Sequence, residues 1–197
     1  MGKYLKIKLD GEGKRTYLYD LAKRNPSLVY QKWVTDISEF KYGVGEDNKK
    51  GKLYLSVILD LCDRRPVAFV YSTRNDNPLV FDRFDKAVAA NPGATPLLHS
   101  DRGYQYTSKA FRRRILAAGM TQSMSRVARC IDNGPMEGFW GLMKREMYYG
   151  KKYKTKEELM LAIEKYIDYY TKAIFPSISK KVHKKIITIH LSKKISN

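Results

Sequence analysis

Cysteine is nearly missing from this chain. Cys62 and Cys130 are the two present in 197 residues, too few for a disulfide framework and not spaced as a metal-binding pair. Such usage suits a reducing compartment. No apolar run approaches the ~20 residues of a membrane span, and the first residues lack the apolar core of a signal peptide. Acids are scarce: 20 stand against 38 basic residues, giving a net charge of +18 and a pI of about 9.8. That surplus points to a polyanionic partner, with nucleic acid the leading candidate. A generically basic or ribosome-associated protein shares the balance, so charge alone does not decide. Fifteen tyrosines and two tryptophans exceed what a disordered chain carries, and the length suits one domain with a proper core.

Among the few acids, three occupy unusual places. Residues 32–40 (K-W-V-T-D-I-S-E-F) alternate like a strand, with Val34, Asp36 and Ser38 on one face. A carboxylate in mid-strand is costly unless something cationic meets it. The apolar run in P-L-L-H-S-D-R-G-Y-Q-Y ends at Asp101, and Arg102-Gly103 then breaks the pattern, so Asp101 belongs at a strand tip. Asn133-Gly134-Pro135 is a turn and helix-start signal that puts Glu137 in the first turn of a helix. A glutamate there often only complements the helix dipole. Together, however, three carboxylates from a strand centre, a strand end and a helix start can bind hard divalent cations through oxygen. Two such ions, roughly 3.5–4 Å apart, can clamp the attacking and leaving oxygens of a phosphodiester.

The remaining segments supply a scaffold. Residues 53–61 form a continuous apolar strand closed by Asp60 and Asp63, whose expected roles are in the turn or in ion pairs. Residues 67–71 make a third strand, completing an antiparallel meander. Asn77-Pro78 opens a helix to about Ala90, 95–100 is a fourth strand, and 108–118 a helix exposing Arg112, Arg113 and Arg114. Gly119 ends it, and 120–123 supplies a fifth strand. In the Glu137 helix, Met136, Trp140, Met143 and Met147 form an apolar stripe that should pack on the sheet. Beside it run Glu137, Gly141, Lys144 and Tyr148, where Gly141 would leave a clear track for a backbone. Lys144 lies two turns, about 10 Å, from Glu137. Thr155 and Glu158 read as a capping box, starting a helix with Leu159, Ile163, Tyr166, Ile167 and Tyr170 on one face. His99 shares the Asp101 strand face and is expected to make a structural hydrogen bond.

These residues resemble a known signature. Asp36, Asp101 and Glu137 match the DDE acids of transposases and retroviral integrases; thirty-five residues separate the last two, and a basic residue, Lys144, follows seven positions on. The phrases K-W-V-T-D-I, L-L-H-S-D-R-G-Y-Q-Y, Q-S-M-S-R and D-N-G-P-M-E-G-F-W-G-L-M-K resemble bacterial insertion-sequence transposases of the OrfB type, over about residues 30–170. The resemblance implies an α/β, ribonuclease-H-like fold: a mixed five-stranded sheet flanked by helices. It further implies a metal-dependent catalytic core for DNA strand cleavage and strand transfer. Asp36, Asp101 and Glu137 would be ligands of two Mg²⁺ (or Mn²⁺) ions, and Lys144, Arg126 and Arg129 would contact DNA. Implied partners are DNA, as element ends and target, further copies of the chain on that DNA, and a companion reading-frame product. The implied location is the bacterial cytoplasm, at the nucleoid. A ribonuclease-H-like nuclease and a non-catalytic DNA-binding remnant are the alternatives.

Three regions are expected. Residues 1–30 would link to an upstream DNA-recognition region, 31–170 would form the integrase-like core, and 171–197 a basic tail that departs from the family pattern. The zinc-binding His/Cys module of retroviral integrases has no counterpart in the sequence. The tail holds seven lysines and no acid. DNA binding should therefore fall steeply with salt, and deleting 171–197 should flatten the dependence of affinity on salt. A truncated protein with an unchanged slope would show that the tail does not touch DNA.

Overall fold

The computed structural model describes residues 29–43, 51–125 and 134–174. Within them the alternation seen in the sequence becomes a sheet of five strands: β1 (Lys32–Tyr42), β2 (Gly51–Asp60), β3 (Pro66–Ser72), β4 (Leu97–Ser100) and β5 (Thr121–Met124). Their spatial order is β3-β2-β1-β4-β5. The meander β1-β2-β3 is antiparallel, whereas β4 and β5 join parallel to β1. This is the mixed five-stranded sheet of the ribonuclease-H-like fold. Edges shift slightly from expectation: β4 starts at Leu97 because Thr95 and Pro96 remain in the loop, and β2 ends one residue before Leu61.

Period-two alternation gives the sheet two apolar faces. Val34 and Phe40 of β1, with Leu53, Leu55, Val57 and Leu59 of β2, meet α4 (Gly134–Met143) and α5 (Lys156–Tyr169). Trp33, Ile58 and Leu98 face the other way, into α1 (Asn77–Ala90) and α3 (Lys109–Ala117). Asp36 and Ser38 share the first face, as their register requires.

Local signals fix the helices. Asp76 caps α1 through Leu79 N, Ser108 caps α3 through Phe111 N, and Gly119, at φ +67°, ends α3 in a left-handed turn. Thr155 caps α5 through Glu158 N at 3.1 Å, while the Glu158 carboxylate accepts from Lys154 N rather than from Thr155 N. The capping box therefore closes one residue further out. A four-residue helix α2 (Tyr104–Thr107) intervenes between the fourth strand and the 108–118 helix, where no element was expected. The helices α4 and α5 run on into π-helical turns, Lys144–Tyr148 and Tyr170–Ile174. The helical run thus passes residue 170, the expected end of the core, and enters the expected tail at 171. The segments 1–28, 126–133 and 175–197 lie outside the described residues, and with them Arg126, Arg129, Cys130, His183 and His190.

Candidate active site

Asp36 sits at the middle of β1, half-buried beneath α4. Its Oδ1 accepts from the Ile37 amide at 2.8 Å and its Oδ2 from the Trp140 indole at 3.1 Å. Burial pushes the carboxyl from 3.8 up to about 6. The Asp101 charge pushes the same way, while the two hydrogen bonds and the Arg83 guanidinium pull it back. Each carboxylate oxygen accepts two hydrogen bonds or ligand bonds, so every contact named leaves a lone pair.

Asp101 reaches the same place from the neighbouring strand. The parallel ladder pairs Val34 with His99, and Asp36 and Asp101 each lie two residues further along. Asp101 Oδ1 accepts from the Gly103 amide at 2.9 Å. A side chain at 103 would put its Cβ 3.2 Å from that oxygen and 3.1 Å from Gln105 Oε1, so the turn has room for glycine alone without displacement. Buried Gln105 in turn donates to Asn75 Oδ1 at 2.6 Å, tying the turn to the loop before α1. His99 takes the structural role expected of it: its ring nitrogens meet Ser123 Oγ at 3.0 Å and Ser125 Oγ at 3.2 Å, joining β4 to β5.

Glu137 lies in the first turn of α4 and is exposed. The stripe Met136, Trp140, Met143 and Met147 is buried in the sheet-facing core, which places the helix over Asp36. The adjacent stripe differs from the expected clear track. Lys144 is half-buried with its ammonium 5.4 Å above the Phe40 ring, and Tyr148 Oη accepts from the Lys41 amide at 2.8 Å. A Cβ at Gly141 would meet Arg145 Nη1 at an ordinary 3.6 Å, so sterics do not require glycine there. The contacts with Phe40 and Lys41 therefore occupy the groups that the stripe would have left free.

The structure therefore brings Asp36 and Asp101 into electrostatic contact and sets Glu137 on the helix docked against Asp36. Among the described residues, no three His, Cys, Asp or Glu groups are arranged to hold a metal ion. The donor set nonetheless fits a hard cation in part. Two carboxylates, one of them desolvated, repel each other at neighbouring strand positions, and a divalent ion would relieve both costs.

Sequence reasoning missed the groups behind this pair. Arg83 of α1 is fully buried; its Nη1 donates to the Val57 carbonyl at 3.3 Å, and its Nε and Nη2 have no hydrogen-bond partner. Its guanidinium lies 5.8 Å from the Tyr106 ring centre, and Tyr106 Oη is 3.4 Å from Thr35 Oγ1, next to Asp36. One signal was available: Arg83 falls within the buried stripe Leu79, Val80, Phe84 and Ala87. Trp140 was legible as core but not as a donor to Asp36.

Comparison with known proteins places the fold in a family. Residues 26–130 match the integrase core domain, and residues 137–173 match a second integrase core domain description. A transposase-like protein of Haemophilus influenzae is 41% identical over 140 residues, 71% of this chain and 62% of that protein. A transposase for insertion sequence element IS904 of Lactococcus lactis is 36% identical over 123 residues, 62% of this chain and 49% of the relative. The chain thus spans less than two thirds of the length of these relatives. The catalytic core domain of HTLV-2 integrase, solved in complex with magnesium, superposes with a TM-score of 0.55 at 18% identity, covering 74% of this chain and 89% of that one.

The raised Asp36 carboxyl has a measurable consequence. An acid whose folded pKa exceeds its unfolded value binds its proton more tightly when folded. Stability should therefore fall as pH rises from 3.8 to about 6, by about 3 kcal/mol in chelator, and then level off. Asp36→Asn should remove that fall. Burial raises Asp60 too, and its contribution, having the same sign in both proteins, cancels in the comparison. Urea unfolding at pH 4.5 and 7.5 checks this; parallel profiles for the two proteins would contradict it.

Proposed function

The chain belongs to the integrase core domain family, and on that premise we propose that it is the catalytic core of an insertion-sequence DNA transposase. The observation that carries the reading is the coupling of Asp36 and Asp101 across two adjacent parallel strands, with the Glu137 helix fastened to Asp36 through Trp140. Asp36, Asp101 and Glu137 would hold two divalent ions, Mg²⁺ or Mn²⁺. Bound there, the ions would supply Lewis-acid activation of water and neutralise charge at a scissile phosphodiester.

The chain's own groups do the rest. Asp36 and Asp101 present oxygen ligands from a rigid sheet, which keeps them in place without side-chain rearrangement. Glu137 closes the set by rotating from solvent in the first turn of α4. Lys144 leaves the Phe40 ring to meet a phosphate beside the cut, and Arg126 and Arg129 hold neighbouring phosphates. A strand cut at the element's end exposes a 3′-hydroxyl, which the same centre aims at a target phosphodiester; no covalent protein–DNA intermediate is needed. On this reading residues 31–170 are the catalytic unit, and the substrates are element ends and target DNA. Copies of the chain assemble on that DNA, and a companion reading-frame product supplies end recognition. Among the described residues no helix is long and apolar enough to cross a membrane, and DNA binding would place the protein at the nucleoid.

Asp36→Asn, Asp101→Asn and Glu137→Gln should each abolish metal-dependent cleavage while leaving the fold intact, since each keeps size and removes the charge a hard cation requires. The assay is cleavage and joining on a paired-end DNA substrate with Mg²⁺ or Mn²⁺. Cleavage near wild type in any one variant removes that residue from the site. Cutting without joining would favour a nuclease of the same fold, and neither activity in the wild type would favour a DNA-binding remnant.

A further inference from the structure

Beyond Met143, α4 passes through its π-helical turn and delivers Tyr149, a residue 62% exposed. The neighbouring Tyr148 ring is tilted by 54° to that of Tyr149. Tyr148 lies 5.9 Å away, fixed by its hydrogen bond to the β1 backbone, and Tyr153 stacks on Tyr148 at 6.3 Å with the rings 7° from parallel. Gly150, at φ +77°, then turns the chain so that exposed Lys151, Lys152 and Lys154 follow the ring. Between residues 144 and 156 there are six cations and a single acid, Glu146. Lys151 donates to the Glu146 carbonyl at 3.2 Å, and Lys156 lies 3.7 Å from Glu157. Lys152 and Lys154 form no ion pair among the described residues.

An exposed aromatic face among cations is the pattern that holds single-stranded nucleic acid: the ring stacks a base, and the ammonium groups follow the phosphates. A duplex buries its base faces, so only an unpaired strand can use the ring. We propose that Tyr149, with Lys152 and Lys154, binds an unpaired DNA strand leading away from the acids. This rests on the reading of the chain as a DNA-cutting enzyme. Tyr149 lies twelve residues beyond Glu137, about three helical turns along the chain, so a strand of a few nucleotides leads from the acids to the ring.

The test uses the full chain carrying Asp101→Asn, in chelator, so that binding is read without cleavage. Its affinity is measured for a blunt duplex and for the same duplex bearing a six-nucleotide unpaired tail. The parent should prefer the tailed DNA, Tyr149→Ala should lose about tenfold on it and little on the blunt duplex, and Tyr149→Trp should retain the preference. Lys152→Ala and Lys154→Ala should each lower the salt slope on tailed DNA by about 0.7. Equal affinities of Tyr149→Ala and parent for tailed DNA, or equal losses on both substrates, overturn the proposal. If the surface variants match the parent while the acid variants still stop cleavage, this surface fails and the transposase reading stands. A parent that binds neither DNA sinks both.

Discussion

A carboxylate held in the middle of a packed strand is the constraint around which this molecule is arranged. Water would normally stabilise the charge of Asp36, and the fold removes most of that water by laying α4 over β1. Its oxygens receive only an amide and an indole hydrogen bond, less than a buried anion needs. Arg83, whose charge pulls the Asp36 carboxyl down, packs from the opposite face of the sheet and is itself short of partners. A second acid, Asp101, worsens the imbalance. A protein spends stability in this way where charge is to be used, and carboxyls raised in this way concentrate at functional sites.

The sheet order makes the pairing possible. Because β1 is the strand where antiparallel neighbours give way to parallel ones, its other neighbour β4 ends on the same side. Open α/β sheets place their sites outside the carboxyl ends of parallel strands, and Asp101 stands just beyond such an end. On the far face, Arg83, Tyr106 and Thr35 fill the space under the two acids. The near face is closed by the Met136, Trp140, Met143 and Met147 stripe, so one helix both seals the core and carries Glu137. Packing and chemistry are therefore coupled: a shift of α4 that frees Trp140 from Asp36 would also move Glu137.

Much of this was legible in the sequence because it follows from short-range rules. Alternation in 32–40 placed Asp36 on the face of Val34 and Phe40, and Asn77-Pro78, Gly119 and Thr155 marked helix ends where they occur. What stayed hidden depends on tertiary packing. Nothing local shows that the Trp140 indole meets a carboxylate 104 positions earlier, or that Arg83 is buried rather than snorkelling from its helix. The meeting of the Lys144 ammonium with the Phe40 ring is likewise a tertiary contact that a helical projection does not show. Helix α2 was hidden because its four residues give no periodicity; it forms where the buried Gln105 and Tyr106 find Asn75 and Thr35 as partners.

The claim that Asp36 and Asp101 form one cation-binding centre can be tested on the protein alone, without DNA. Thermal unfolding would be followed during Mn²⁺ titration at pH 5 and pH 7.5, for the wild type and Asp36→Asn. A ligand that binds only the folded state stabilises it by mass action, and it competes with the proton on a carboxyl raised to about 6. The expected result is a rise in Tm that is larger at pH 7.5 than at pH 5 and is lost in Asp36→Asn. An equal rise in both proteins, or none in the wild type at either pH, would contradict a metal centre at these two acids.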